Sequence, residues 1–302
     1  MKSPHIPVLA NEVLTLFEPV KDGVFVDCTL GFGGHAKLIL ERFNNIEYIG
    51  IDRDENAIEF STKQLAKFGD RFRAIQGAFS TVLPTLKTKP IAAALADLGV
   101  SSLQLDSADR GFGFASSLLD MRMDTNAPFS AENVVNHYDL EELIRIFRDY
   151  GEEPQAKRMA EMIVKNRPFD SNQSLATLIE RSFGRGKIHA ATRIFQAIRI
   201  EVNDELGELE NMLSAIETME LSGAIVGIIS FHSLEDRIVK NRFRNWSKSC
   251  ICPKESPRCL CGNNHALGQT LTKKPILPQA CEAKENPRSR SAKLRGFKFY
   301  EH

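Results

Sequence analysis

Residues 24–35 read Val-Phe-Val-Asp-Cys-Thr-Leu-Gly-Phe-Gly-Gly-His, an apolar run that closes on an acid and then passes through three glycines. That order predicts a buried strand, a tight turn and a helix start. Leu38, Ile39 and Phe43 continue it with helical spacing within 36–43. A second buried strand, Tyr48-Ile49-Gly50-Ile51-Asp52, again closes on an acid, and 56–68 brings Ala57, Ile58, Leu65 and Phe68 to one side of a helix. Residues 72–75 and 91–98 supply two further strands. Strands alternating with helices at this spacing predict an α/β fold, a parallel sheet covered on both faces.

Ligands of such sheets sit beyond the C-terminal ends of the strands, where a turn meets a helix N-terminus. Asp52 stands where an acid can accept both ribose hydroxyls of a nucleoside. Gly31-x-Gly33-Gly34-His35 lacks the G-x-G-x-x-G spacing of dinucleotide sites, so no pyrophosphate is demanded. S-adenosylmethionine, a nucleoside without phosphate, fits the pattern. The same residues equally suit a plain turn, with Asp27 and Asp52 capping helices and His35 near a helix start.

After Asp97-Leu98-Gly99-Val100-Ser101-Ser102 the alternation stops, and it resumes only with the apolar strand of 223–231, which runs into His232-Ser233-Leu234-Glu235-Asp236. Between them Pro154 opens a helix over 155–166, and Asn172 is placed to cap another over 173–183. One long helix is predicted from Ala190, with Ile194, Ile198, Val202, Leu209, Leu213 and Ile216 in one stripe. Its opposite face carries Thr192, Gln196, Arg199 and Asn203, either solvated or forming one wall of a cleft. A helical domain inserted after the fourth strand is the simplest architecture, and a groove between the two would suit a substrate.

The chain has 302 residues with 39 basic and 39 acidic side chains. The balance hides a division: 1–236 carry a net −11 and 237–302 a net +11. The last part therefore reads as a basic arm for a polyanion. Arg288, Arg290, Lys293 and Arg295 fall within ten residues, with Arg237, Lys240, Arg242 and Arg244 upstream. Trp246 could stack on a base or anchor the tail. The longest apolar stretch, 223–231, is far short of the roughly 20 residues that span a bilayer, and MKSPHIPVLANEV lacks the core of a secretory signal. No membrane association and a reducing, cytoplasmic location are expected.

Six cysteines in a chain of this length do not make a disulfide scaffold. Cys250-x-Cys252 and Cys259-x-Cys261 stand close together, which suggests zinc. The C-x-C spacing is less well attested than C-x₂-C, and a proline-rich loop of reduced thiols is the other reading.

Ten sequence words in order carry a resemblance: His5-x-Pro7-Val8-Leu9; Asp27-Cys28-Thr29-Leu30-Gly31-x-Gly33-Gly34-His35; Ile51-Asp52-Arg53-Asp54; Asp97-Leu98-Gly99-Val100-Ser101-Ser102-x-Gln104-Leu105-Asp106; Arg110-Gly111-Phe112; Leu119-Asp120-Met121-Arg122-Met123-Asp124; Tyr150-Gly151-Glu152-Glu153; Phe195-Gln196-Ala197-x-Arg199-Ile200; Phe231-His232-Ser233-Leu234-Glu235-Asp236; and Asn286-Pro287-Arg288-x-Arg290-Ser291. Together they resemble the bacterial family that methylates the exocyclic N4 amine of a cytidine in small-subunit (16S) ribosomal RNA. One departure is Gly113, where the family usually has Ser.

The resemblance implies a class I (Rossmann-like) S-adenosylmethionine-dependent methyltransferase sheet with an inserted all-helical domain. Its parts would be 1–105 and 206–302 for the methyltransferase domain, the latter with the basic RNA-binding tail, and 106–205 for substrate recognition. Cofactor contacts would fall on Gly33, Gly34, His35, Asp52, Phe79, Asp97 and Gln104. Asp97 is the expected acceptor of an amine hydrogen, with Ser101 and His232 as secondary candidates to hold the base or take the proton. Arg199, Arg288, Arg290, Lys293 and Arg295 are the expected RNA contacts. The implied partner is ribosomal RNA, in its decoding region and within the small subunit; the sequence leaves monomer and homodimer open. Two other classes stay in view: a non-catalytic RNA-binding or assembly factor, which leaves Asp52 and Asp97 without purpose, and a nicotinamide-dependent oxidoreductase, which the missing third glycine disfavours.

Overall fold

The computed structural model describes residues 7–86, 90–100, 104–105, 110–184, 190–219, 221–253, 256 and 258–301. His5 and the candidate Ser101 lie outside them. The chain forms two compact units, Met1–Gly99 with Glu208–His302, and Val100–Gly207.

The first unit starts with α1 (Ala10–Phe17) and continues through β1 (Gly23–Asp27), α2 (Gly34–Arg42), β2 (Ile46–Asp52), α3 (Glu55–Leu65), β3 (Phe72–Gln76), α4 (Phe79–Val82) and β4 (Ile91–Asp97). The strands belong to a seven-stranded sheet in the order β3-β2-β1-β4-β5-β7-β6, where β5 is Ile225–Ser230, β6 Gly268–Thr270 and β7 Lys293–Phe299. β1 to β5 are parallel; β7 runs antiparallel to β5 and to β6. This is the expected α/β, Rossmann-like sheet. Alternation along the strands explains its burial on both sides: Val24, Val26, Ala94, Val226 and Ile228 enter one core, Phe25, Ala93, Leu95, Ile225 and Ile229 the other.

The basic tail is not a free arm. Its last strand lies inside the sheet, with Leu294 and Phe297 buried. The apolar pattern of 293–299 alternates with charges, so a strand covered on both faces by neighbours was hard to see beneath the charge. Trp246 anchors the tail rather than awaiting a base: it ends α11 (Ser233–Trp246) buried against Phe243, Phe297 and Phe299.

In the second unit α5 (Ala131–His137), α6 (Leu140–Asp149), α7 (Ala156–Lys165), α8 (Asn172–Phe183) and α9 (Ala190–Asn203) surround one core. Two expectations need correction. The long helix from Ala190 is two helices, α9 and α10 (Glu205–Thr218), separated by Asp204 at φ +47°. A left-handed residue ends the hydrogen-bond ladder without disturbing the spacing of apolar residues, so the stripe alone could not reveal it. Ser171, not Asn172, caps α8 by accepting the Ser174 N–H, whereas the buried Asn172 side chain donates to the carbonyls of Gly111 and Gly113. No described helix is long and apolar enough to cross a membrane.

Candidate active site

The chain leaves β1 toward β2 and β3, but β4 returns to the other side of β1 and continues to β5. Where strand order reverses, helices leave on opposite faces and a crevice opens beyond the C-terminal strand ends. Asp27, Asp52 and Asp97 terminate the three strands around that point.

Asp27 is buried. Tyr48 donates its hydroxyl to Asp27 Oδ2 at 2.7 Å, and the Thr29 N–H donates to Oδ1 at 3.0 Å. Burial pushes the Asp27 carboxyl up to about 6; the Tyr48 and Thr29 bonds and His35 oppose that rise, and Asp97 adds to it. Thr29 Oγ1 also accepts the Asp97 N–H at 2.6 Å, tying the ends of β1 and β4 together. Tyr48 and Thr29 did not stand out in the sequence. An in-register pair, Phe25 with Tyr48, is what brings the phenol to Asp27, and no local motif encodes it.

The glycine turn leads into α2 through Gly33, whose φ of +75° strains any L side chain, and whose added Cβ would sit 3.0 Å from Leu65 Cδ1. His35 follows, 7% exposed. Its Nε2 is 3.5 Å from Asp97 Oδ2, close enough for charge attraction but not aligned as a hydrogen bond. Both His35 nitrogens and Asp97 Oδ1 are buried without a hydrogen-bond partner among the described residues. Buried polar atoms of this kind ordinarily find partners, so they mark a place for a polar ligand.

Asp52 is held open for one. Its Oδ2 accepts the Gly31 N–H at 2.7 Å and its Oδ1 the Asp54 N–H at 2.9 Å, leaving further lone pairs on both oxygens. Burial raises its pKa, and the Asp54 and Gly31 bonds work against that. Phe79 opens α4, half-buried, with the Arg53 guanidinium 5.9 Å above its ring. Arg53 is paired with Glu208 at 3.0 Å. A nucleoside with an amino-acid end suits this donor and acceptor set: an acid for the sugar, an aromatic face and a His–Asp pair. Gln104 belongs to the second unit, where it is buried.

Past β4, Gly99 at φ +93° has Phe231 as its neighbour, 3.7 Å from where a Cβ would lie. An aromatic therefore stands beside the Asp97 strand end, although 97–100 contains none. Strand pairing supplies it, because Asp97 is in register with Ile229 and the chain reaches Phe231 two residues later. His232 caps α11: its Nδ1 accepts the Glu235 N–H at 3.5 Å, and Nε2 lies 3.2 Å from Glu235 Oε1 without hydrogen-bond alignment. Its Nδ1 is thus engaged with its own helix, whereas the buried Nε2 has no hydrogen-bond partner among the described residues.

Among the expected RNA contacts, Arg288 and Arg290 are exposed. Arg295 is not: it is 6% exposed in β7 and donates to both oxygens of Asp236, at 2.7 and 3.2 Å. Lys293 lies 3.6 Å from the same carboxylate. Burial alone would raise the Asp236 pKa, but these two cations hold it below the ordinary value. A guanidinium buried and paired in this way has no face left for a phosphate, which corrects the expectation for Arg295. In the second unit Arg199 is bidentate on Glu205 at 2.7 and 2.9 Å, Gln196 donates to the Tyr150 carbonyl, and Asn203 is buried. These α9 residues do not make a merely solvated face.

The four tail cysteines are brought together, their sulfurs all within 4.8 Å of one another. The Ile251 N–H donates to Cys261 Sγ at 3.4 Å, and the Leu260 N–H to Cys252 Sγ at 3.2 Å. Such backbone donors, Ile251 foremost, hold the Cys261 thiol down at about 5. The Cys252 N–H works in the same sense on Cys250, but the Cys259 and Cys261 thiols outweigh it and push Cys250 up to about 11.

The profile of the MraW methylase family matches residues 2–300. A ribosomal RNA small subunit methyltransferase H from Wolinella succinogenes is 56% identical over 303 residues, spanning 99% of this chain and 99% of its own. That of Aliarcobacter butzleri is 55% identical over 299 residues, spanning 99% and 100%. Among solved structures, an rRNA methylase from Streptococcus thermophilus aligns over 98% of this chain and 99% of its own at 10% identity, with a TM-score of 0.41.

Proposed function

Because this chain belongs to the MraW methylase family, we propose that it methylates small-subunit ribosomal RNA, at the exocyclic N4 amine of a cytidine in the decoding region. The chemistry takes place in the cytoplasm, on RNA presented by the small subunit. S-adenosylmethionine is the cofactor; when bound, it supplies a methyl group activated by a sulfonium. The observation that carries the reading is Asp97, whose Oδ1 is buried and has no hydrogen-bond partner among the described residues, at the end of β4 beside His35.

Asp52, fixed by the Gly31 and Asp54 N–H groups, receives the ribose hydroxyls. Gly33 and Gly34 let the backbone come close, Phe79 offers its ring to the adenine, and His35 with Asp97 faces the polar end of the ligand. The cytosine amine is a weak nucleophile because its lone pair is delocalised into the ring. Asp97 accepts one of its hydrogens, which localises that pair on nitrogen and aligns it for in-line attack. S-adenosylmethionine held by these residues would supply its sulfonium methyl to that nitrogen, leaving as the neutral thioether, and the Asp97 carboxylate would take the proton left on the amine. Phe231, beside Gly99, is the aromatic on which the base can rest. An amine engaged in pairing within a duplex is out of reach, so an unstacked or looped nucleotide is required.

Labelled methyl transfer to assembled small subunits and to naked RNA, followed by mass spectrometry of the nucleosides, tests the substrate; absence of N4-methylcytidine in both sinks it. For Asp97→Asn, turnover should fall by about 10²-fold or more while cofactor affinity, measured by calorimetry, stays within a few-fold. If affinity collapses in parallel with turnover, Asp97 is a cofactor ligand only.

A further inference from the structure

Between the end of α11 at Trp246 and β6 the chain makes an excursion closed at its base by backbone bonds, His265 N–H to the Ser249 carbonyl and Leu267 N–H to that of Trp246. Within it two C-x-C arms face each other. Neither arm has an apolar core: Ile251 is 63% exposed and Leu260 81%. Something other than hydrophobic burial must hold the arms in place.

The sulfur geometry supplies it. Cys250 Sγ lies 3.6 Å from Cys259 Sγ and 3.8 Å from Cys261 Sγ, and Cys259 and Cys261 are 3.5 Å apart. A disulfide needs about 2.05 Å, and all six cysteines are free. Four thiolates on a tetrahedral zinc ion, each about 2.3 Å from the metal, are spaced by roughly 3.8 Å. The observed separations match that tetrahedron's edge. The middle residue of each arm turns its N–H to a sulfur of the other, Ile251 to Cys261 and Leu260 to Cys252. Donors to the sulfurs are the outer-shell support that thiolate metal sites use to fix their ligands and spread their charge.

We propose that Cys250, Cys252, Cys259 and Cys261 bind one zinc ion as four thiolates, and that this closed site is structural, pinning the two arms at the mouth of the excursion. Four protein ligands leave no open position, so the ion takes no part in methyl transfer. Binding releases the thiol protons and cross-links the arms, so it stabilises this segment in place of a core.

Full-length protein purified without chelator should contain about one zinc per chain by elemental analysis. Cys250→Ser/Cys259→Ser should contain less than about a tenth of that, and Cys281→Ser, an exposed cysteine outside the cluster, should keep it all. Native protein should show one fast-reacting thiol, Cys281, because Cys28 is buried and the rest are ligated; mercurial release of the metal should be accompanied by four more. Cobalt added to the metal-free protein should give the intense visible bands of a tetrahedral thiolate site. Proteolysis between 247 and 267 should become faster on metal removal, while cofactor binding is retained. Zinc-free protein with five reactive thiols, a disulfide between the arms, iron in place of zinc, or full zinc retention in the double variant would each overturn the proposal.

Discussion

Asp27 shows how a single buried carboxylate links strand register to pH. The ordinary value of 3.8 rises to about 6 because burial disfavours the charged form more than Tyr48, Thr29 and His35 favour it. Here the folded pKa lies above the unfolded one, so between roughly pH 4 and 6 the native chain binds more protons than the unfolded chain. Stability contributed by this group is therefore present at the acid end and lost as pH rises through 6. A difference of about 2 pKa units corresponds to about 3 kcal/mol. Urea unfolding of the natural protein and Asp27→Asn from pH 4 to 7 isolates the effect from the other carboxylates. The stability difference should move against the natural protein by up to about 3 kcal/mol, chiefly below pH 6, and then level off. A pH-independent difference would mean that Asp27 titrates normally. Replacing Tyr48 by Phe removes a donor to the carboxylate, so it should extend the window upward in pH. The sequence displayed Asp27, Asp52 and Asp97 at strand ends, because an apolar run closing on an acid is a local pattern. Tyr48, Thr29 and Phe231 were not legible at this scale, since each reaches the site through strand pairing.

At the scale of elements, the informative feature is the break between α9 and α10. Apolar residues keep helical phase across it, so periodicity predicts one helix. What ends α9 is a left-handed Asp204, preceded by an Asn203 turned inward. The Asn203 side chain accepts the Met123 N–H at 2.8 Å and donates to the carbonyls of Met121 and Arg199 at 2.8 and 2.9 Å. Met121 sits at φ +61°, a costly conformation for a side chain of its size. Asn203 thus pins a strained turn in the second unit to the last turn of α9. Asn203→Ala leaves buried backbone groups without partners and should destabilise this unit by about 2–4 kcal/mol. Thermal unfolding gives the magnitude, and hydrogen exchange at the Met123 amide should accelerate more than at amides within α6. Unchanged protection at Met123 would show that the turn holds itself. Strand and helix existence was legible here from spacing, whereas the cap of α8 and this break depended on which polar side chain turns inward.

For the whole molecule, zero net charge resolves into net −11 over 1–236 and +11 over 237–302. The fold changes what that surplus can do. Arg295 is buried on Asp236, Lys293 lies beside the same carboxylate, and Arg242 reaches Glu217 at 2.8 Å, so these charges are neutralised within the first unit. Arg237, Lys240 and Arg244 share the exposed side of α11, whose other side buries Val239, Phe243 and Trp246. Arg288 and Arg290 are exposed just before β7. The solvent-exposed part of the basic surplus therefore lies on a helix face and a short turn rather than on a trailing arm. Each phosphate contact removed should lower the slope of log affinity against log salt by about 0.7–0.9. Arg288→Gln/Arg290→Gln should flatten the slope for small-subunit RNA by about one to two. Arg295→Gln should instead keep the slope and destabilise the fold by about 3 kcal/mol or more, because Asp236 loses its bidentate partner. Filter binding across a salt series, with melting curves on the same samples, separates the two. A slope that responds to Arg295 and ignores Arg288 and Arg290 would relocate the RNA-binding surface away from the turn.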